Sequence, residues 1–317
     1  MPALTVFVFD YASGSAARAG AMPHALRHQS QMMLQALLDD LGQVAGVTLT
    51  TLHAPASFRR AFDASVQACD AVWPLAPAAG GLLERLSRQV LRRQRILLGS
   101  KPAALRVAAS RLRTARALAR AGIEVVATYA ASGPLPATHG AWVVKPDDGA
   151  DYDDTRIFSS AASALAWIAG RPGYVLQPFI PGKLGSLSLL CGDGTAHLLG
   201  CNEQRIAVRD NQFHFLGTTV NSLADLDGAY ERLAQAVAAA MPGLWGHVGI
   251  DFVLAEHGVV VLAVHARMTT SYAGLHASLG CNPAAMVLDL LAQPARAPRA
   301  CVKPVAVSVD VAAFSTT

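Results

Sequence analysis

The sequence predicts an α/β protein in which a doubly wound N-terminal domain precedes a two-lobed α+β unit. Three observations predict this class. Short apolar runs alternate with amphipathic stretches through the first hundred residues, the pattern of strand–helix–strand winding. Strand-like runs then follow one another closely, with fewer helices between them. Finally, 317 residues are too many for one small domain and suit two or three lobes.

Residues 4–9 (LTVFVF) read as the first strand, ended by Asp10 and a loop with Gly14 and Gly20. Apolar residues at 32, 33, 36, 37, 38 and 41 recur at helical spacing, which predicts an amphipathic helix over 31–41. A strand at 47–52, a helix at 58–68, a strand at 71–75, a helix at 81–93 and a short strand at 96–99 complete a domain over 1–100. An alanine- and arginine-rich helix is expected over 103–121, with Gly122 as its stop. Strands at 125–129, 142–145 and 174–179, the last closed by Ile180-Pro181-Gly182, make a first lobe over 101–182. Strands at 184–191, 195–204, 248–254 and 259–264, with helices at 225–240 and 283–291, make a second lobe over 183–293. A proline-rich linker and a terminal strand at 303–312 fill 294–317.

Composition excludes several classes. Apolar residues reach 52% and charges only 15%, so the chain can bury a core and is not disordered. The most apolar long stretch, 233–250, is interrupted by Gln235, Pro242 and His247, so no membrane span is expected. The start lacks a basic region before an apolar one, so no signal peptide is expected either. The net charge of +4 is spread along the chain and does not call for nucleic acid. Five cysteines without a C-x-x-C pair read as free thiols in a reducing cytoplasm.

Four pieces carry the chemistry, and their order is more specific than any one of them. Arg111 lies in a helical stretch soon after Gly99-Ser100. Lys145 ends a strand before a loop of glycine and acids, VVKPDDGA at 143–150. A strand and hinge, LQPFIPG, covers 176–182. Last comes a hairpin-like pair, GIDFVL at 249–254 and VVLAVHARMTTSY at 260–272. Asp10, at the carboxyl end of the first strand, sits where open α/β sheets bind ligands, and a loop or helix-cap acid is an equal reading.

In this order the pieces resemble the ATP-grasp superfamily over nearly the whole chain. ARMTTSYAGL (266–275), VWPLAP (72–77), LLGS (97–100), VVKPDDGA and QPFIPG with Ser186 beyond it are most similar to the tyramine–glutamate ligase type of methanofuran biosynthesis. The resemblance implies ATP, with magnesium, and small-molecule carboxylate and amine substrates such as glutamate and an aromatic or aliphatic amine. It implies that Arg111 and Lys145 serve the phosphates and that the 147–151 loop closes over them. Adenine is expected near Phe179 and Ile180, with Gln177 adding a side-chain hydrogen bond. Arg267 would stabilise the transferred phosphate; Ser186, Thr269, Thr270, Ser271 and Tyr272, with Asp10, would meet substrate.

The sequence departs from the resemblance where the metal belongs. The first acid is Asp251, but the glutamate position is Ala263 and the asparagine position is His265, leaving Asp251 and His265 as the expected ligands. A neutral histidine suits Zn, Mn or Fe better than Mg. The acid expected at the ribose is Lys183, placed to meet phosphate instead, and the Asp-Lys pair of the helix is Ser110-Arg111. Two readings stay open: a ligase forming an amide through an acyl phosphate, or an inactive relative serving as a binding module, a homodimer or the partner of an active paralogue.

Overall fold

Val6 and Val8 alternate with Phe7 and Phe9, so β1 (Leu4–Asp10) has two apolar faces, and both are buried. The computed structural model describes residues 3–14, 24–52, 58–136, 140–148, 155–292 and 304–311. After β1 come α1 (Tyr11–Gly14), α2 (His24–Gly42), β2 (Val47–Thr51), α3 (Phe58–Gln67), β3 (Ala71–Leu75), a 3-10 turn (Ala79–Gly81), α4 (Leu82–Arg92) and β4 (Ile96–Leu97). The strands are parallel in the order β2-β1-β3-β4. Phe7 and Phe9 pack with Phe62 of α3 and Leu86 and Val90 of α4. Val6 and Val8 face Leu37 and Leu41 of α2 on the other side. The doubly wound expectation is met, with α2 starting at residue 24 rather than 31.

The single helix expected over 103–121 is two, α5 (Pro102–Ala108) and α6 (Arg111–Arg120). Ser110 separates them: its backbone is extended, and its hydroxyl caps α6 by accepting the Arg113 N–H at 3.2 Å. The first lobe follows as β5 (Tyr129–Ala130), β6 (Trp142–Pro146), β7 (Arg156–Phe158), α7 (Ala161–Ile168) and β8 (Tyr174–Pro178). It has its own core of Trp142, Val144, Ala164, Ile168 and Leu176. The strand expected over 125–129 is interrupted. Residues 124–126 run along the edge of the second lobe, where the Val126 N–H reaches the Val261 carbonyl at 2.9 Å. Tyr129 then pairs with Leu176 in the first lobe.

The second lobe contains β9 (Lys183–Gly192), β10 (Thr195–Arg209), β11 (Gln212–Val220), α8 (Ala229–Ala240), β12 (Gly246–Ala255), β13 (Gly258–His265), α9 (Tyr272–Leu279), α10 (Pro283–Ala292) and β14 (Val307–Asp310). One sheet runs β13-β12-β9-β10-β11-β7-β6-β8-β5, with β14 beside β11. Among the described residues, β7 and β11 join through one registered pair, Gln212 with Arg156. One face of the second-lobe sheet packs on α5, α6 and α8 through Leu105, Leu118, Leu187, Phe252 and Val237. Above its other face, α9 and α10 pack against α2, so Leu37, Leu41, Tyr272, Leu275 and Leu288 share one core with β1.

Among the described residues no single helix is long and apolar enough to cross a membrane. Cys69, Cys191 and Cys201 are buried free thiols; burial pushes Cys191 and Cys201 up to about 12, which leaves them inert.

Candidate functional site

Register builds one wall of the site. Ser186 on β9 pairs with Asp251 on β12, which pairs with Ala263 on β13. Directly paired residues point to the same side of a sheet, and His265 follows Ala263 by two. These side chains open into a cavity of about 180 Å³. Arg111 reaches it from α6, Lys145 and Thr155 from the first lobe, and Arg267 and residues 269–271 from the second. Gln29, Ser30, Met33 and Leu75 reach it from the N-terminal domain.

Arg111 is the first residue of α6, and Asp147 pins that helix end to the strand carrying Lys145. The Asp147 carboxylate accepts the Leu112 N–H and the Ser110 hydroxyl, each at 2.8 Å. The Asp147 carbonyl accepts the Arg111 N–H at 3.1 Å, and Arg111 Nε donates to the Pro146 carbonyl at 2.9 Å. An acid at a helix N-terminus also suits the helix dipole. Asp147 is therefore committed to α6 rather than to a closing loop. Asp148 likewise accepts the Gly80 N–H at 2.7 Å, and residues 149–151 lie outside the described residues.

Lys145 is buried, and its ammonium makes no hydrogen bond or ion pair with another described residue. Burial, reinforced by the charge of Arg111 and opposed by Asp251, holds its pKa well below the usual lysine range. Arg267 donates through Nη1 to the Met268 carbonyl at 3.0 Å, while its Nε is buried without a partner. Both side chains thus carry donors that an anion in the cavity would satisfy.

Asp251 has both oxygens engaged. Gln204 Nε2 donates to Oδ1 at 2.7 Å, and His265 Nε2 lies 2.8 Å from Oδ2. Burial pushes the carboxyl up, but His265, Arg111 and Gln204 outweigh it, so Asp251 titrates below the usual range. The expected ligands Asp251 and His265 thus bind one another. Ala263, beside them, offers a methyl group, and no three His, Cys, Asp or Glu side chains converge among the described residues. This donor set does not fit a divalent cation, which needs several free oxygen ligands.

A ledge of small polar groups continues this wall along β9 and β10 to residues 269–271. Ser271 Oγ lies 2.8 Å from Ser188 Oγ and 2.9 Å from Thr269 Oγ1. Asn202 donates to Ser188 at 3.0 Å and Ser186 at 3.3 Å. Thr270 donates to Gln29 Oε1 at 3.1 Å, and Ser30 donates to Asp10 at 2.7 Å. Asp10 is therefore behind the wall and reaches the cavity through Ser30. Ser188, Asn202, Gln204 and Gln29 are absent from the sequence expectations. Ser186-x-Ser188 has the strand period of two and could have flagged Ser188. Gln29 carries no local signal, because its partner is 241 residues away.

Four expected residues are not among those that line this cavity. Gln177 is buried and donates to Thr128 at 2.8 Å. The Phe179 N–H is held by the Ala141 carbonyl at 2.9 Å, and Ile180 packs with Val126, Val253 and Val260. Lys183 pairs with Leu254, three residues from Asp251, so the alternation of the strand turns it to the opposite face; its ammonium meets Glu203 at 2.8 Å. Tyr272 is a further correction. It begins α9 rather than ending a strand, and its hydroxyl turns into the core to donate to Asp40 at 2.6 Å. Burial, then Asp40, raises its pKa well above the usual value. His276, also on α9, joins the same carboxylate through Nδ1 rather than reaching the cavity.

Residues 108–271 match the ATP-grasp domain and residues 29–105 match the pre ATP-grasp 3 domain. The chain belongs to the ATP-grasp family, whose relatives include ligases of carboxylates and amines. Tyramine–L-glutamate ligase of Methanocaldococcus jannaschii is 31% identical over 102 residues, which cover 32% of this chain and 32% of that protein. An ATP-grasp superfamily protein from Archaeoglobus fulgidus superposes with a TM-score of 0.71 at 22% identity, covering 90% of this chain and 88% of the other. An L-amino acid ligase from Bacillus licheniformis gives 0.65 at 14% identity, covering 92% and 75%. D-alanine–D-alanine ligase from Bacillus anthracis, complexed with ATP, gives 0.64 at 13%, covering 90% and 97%. At these identities the structural likenesses show the fold alone.

Proposed function

We propose that the protein is an ATP-dependent carboxylate–amine ligase, with glutamate as the carboxylate, an amine of the tyramine kind as acceptor, and a place in one-carbon cofactor synthesis of the methanofuran type. The observation that carries this reading is the convergence of Arg111, Lys145 and Arg267 with Ser186, Thr269, Thr270 and Ser271 around one cavity. The carboxylate oxygen attacks the γ-phosphorus of ATP, and the bond to the ADP oxygen breaks. The amine nitrogen then attacks the acyl carbon, phosphate leaves, and the nitrogen loses a proton to give the amide. Such chemistry needs placement and charge stabilisation rather than a protein nucleophile. Arg111 and Lys145 take the inner phosphates, Arg267 takes the transferred phosphoryl group, and the serine–threonine ledge, with Asp10 behind it, orients substrate. Adenine lies toward Phe179 and Ile180. Gln177 and Lys183 are left out of this assignment because Thr128 and Glu203 hold them. The working units are 1–100, 101–182, 183–293 and 294–317, in a cytoplasmic protein.

A coupled assay of ADP release with glutamate and tyramine tests the reading; substrate-dependent release is the expected result. A second reading has a specific observation behind it, the sealed Asp251 carboxylate beside Ala263. It makes the chain an inactive relative that binds ligand, as a homodimer or beside an active paralogue. A folded protein that binds ATP and releases no ADP with any divalent ion selects it.

A further inference from the structure

We infer that this cavity binds the phosphate chain of its nucleotide through side-chain cations alone, with no divalent metal ion. The inference rests on the nucleotide reading above but not on turnover. A metal bridging phosphates and protein would need free carboxylate oxygens beside Asp251. Here each Asp251 oxygen already faces an N–H, from Gln204 at 2.7 Å and from His265 at 2.8 Å. Those donors present positive hydrogens along the directions a cation would use. Registered with Asp251 is Ala263, which has no ligand atom.

The same cavity offers an anion what it withholds from a cation. Among the described residues, the buried Lys145 has no hydrogen-bond or ion-pair partner, and Arg267 has a buried Nε without an acceptor. Arg111 lines the same cavity at a helix N-terminus, fixed by Asp147 and Pro146. An unpaired buried ammonium is costly, and a phosphate oxygen is the partner that relieves it. In this arrangement the three cations do the neutralising that a bound metal does elsewhere.

Calorimetric titration of the full chain with ADP and with inorganic pyrophosphate, in excess EDTA and then in magnesium, tests this. The expected dissociation constants agree within about threefold in the two buffers and weaken as salt is added. The double substitution Ala263→Glu with His265→Asn rebuilds an acidic site. It is expected to weaken binding in EDTA by about tenfold or more and to regain it with magnesium. Lys145→Met, checked for folding by circular dichroism, is expected to lose binding in EDTA. Binding by the native chain only when magnesium is present overturns the inference and leaves the ligase reading standing. Metal-free binding without ADP release supports the inference and overturns the ligase reading. No binding in either buffer by folded protein overturns both.

Discussion

His247 makes folding stability depend on pH in a calculable way. Its ring lies buried on β12, 6.2 Å from the Trp73 ring and 4.8 Å from that of Tyr272, with Nε2 3.3 Å from the Pro283 carbonyl. Burial, only partly opposed by that carbonyl, pushes its pKa down from 6.5 to about 4. The folded protein therefore keeps the ring neutral where the unfolded chain protonates it. The contribution is fully present above pH 6.5 and is lost as pH falls toward 4. The full loss is about 3 kcal/mol, and about 2 kcal/mol of it has occurred by pH 5. Urea denaturation of the native chain and of His247→Phe, each near pH 7.5 and pH 5, isolates the term, because the other titrating groups are common to both. The native chain should lose about 2 kcal/mol more than the variant on acidification. Equal losses, within about 0.5 kcal/mol, would refute a buried neutral imidazole.

Further outcomes follow from the site and its supports. Lys145→Met removes a buried ammonium that has no hydrogen-bond or ion-pair partner among the described residues, so the melting temperature should hold or rise; a drop of about 4 °C or more would refute this. Asp147→Ala should cost about 1–2 kcal/mol in a denaturant titration, by uncapping α6, and should raise the ADP dissociation constant because Arg111 loses its seat. Tyr272→Phe leaves a lone pair of Asp40 unmatched and should cost about 1–3 kcal/mol, with substrate KM unchanged; a large KM change would return Tyr272 to the pocket. Lys183→Ala breaks a half-exposed pair and should shift stability by less than about 1 kcal/mol, leaving nucleotide affinity as it was.

The N-terminal domain was legible because β1 and β3 are apolar on both faces and sit between helical periods. β11 was not, because Gln212, His214 and the threonines dilute its pattern. Its signal lay in the turn: Asp210 and Asn211 both take positive φ, as a two-residue hairpin requires. α9 was missed because Gly274 reads as a turn. It is helical, and a Cβ there would come within 3.0 Å of the Val220 and Val309 side chains, so the glycine serves close packing. Arg111, Lys145 and Arg267 could be read from motif order. Gln29, Asn202 and Gln204 could not, since their partners are set by tertiary pairing. Lys183 and Tyr272 had the right neighbourhood but the wrong facing, which only strand alternation and the start of α9 decide.

The core shared by β1, α2, α9 and α10 has a mechanical meaning. Residues 1–100 and the second lobe are joined by packing around one shared core, although residues 101–182 separate them in sequence. Strands β5 to β8 keep their own small core; among the described residues they meet the rest of the sheet through one registered pair and the 124–130 crossing, and Asp147 and Asp148 tie the end of β6 to α6 and Gly80. They are the jaw and the remainder is the anvil. Lys145 sits on the jaw while Arg267 and the serine–threonine ledge sit on the anvil, so the phosphate-side and acceptor-side groups of one cavity are held by separate cores.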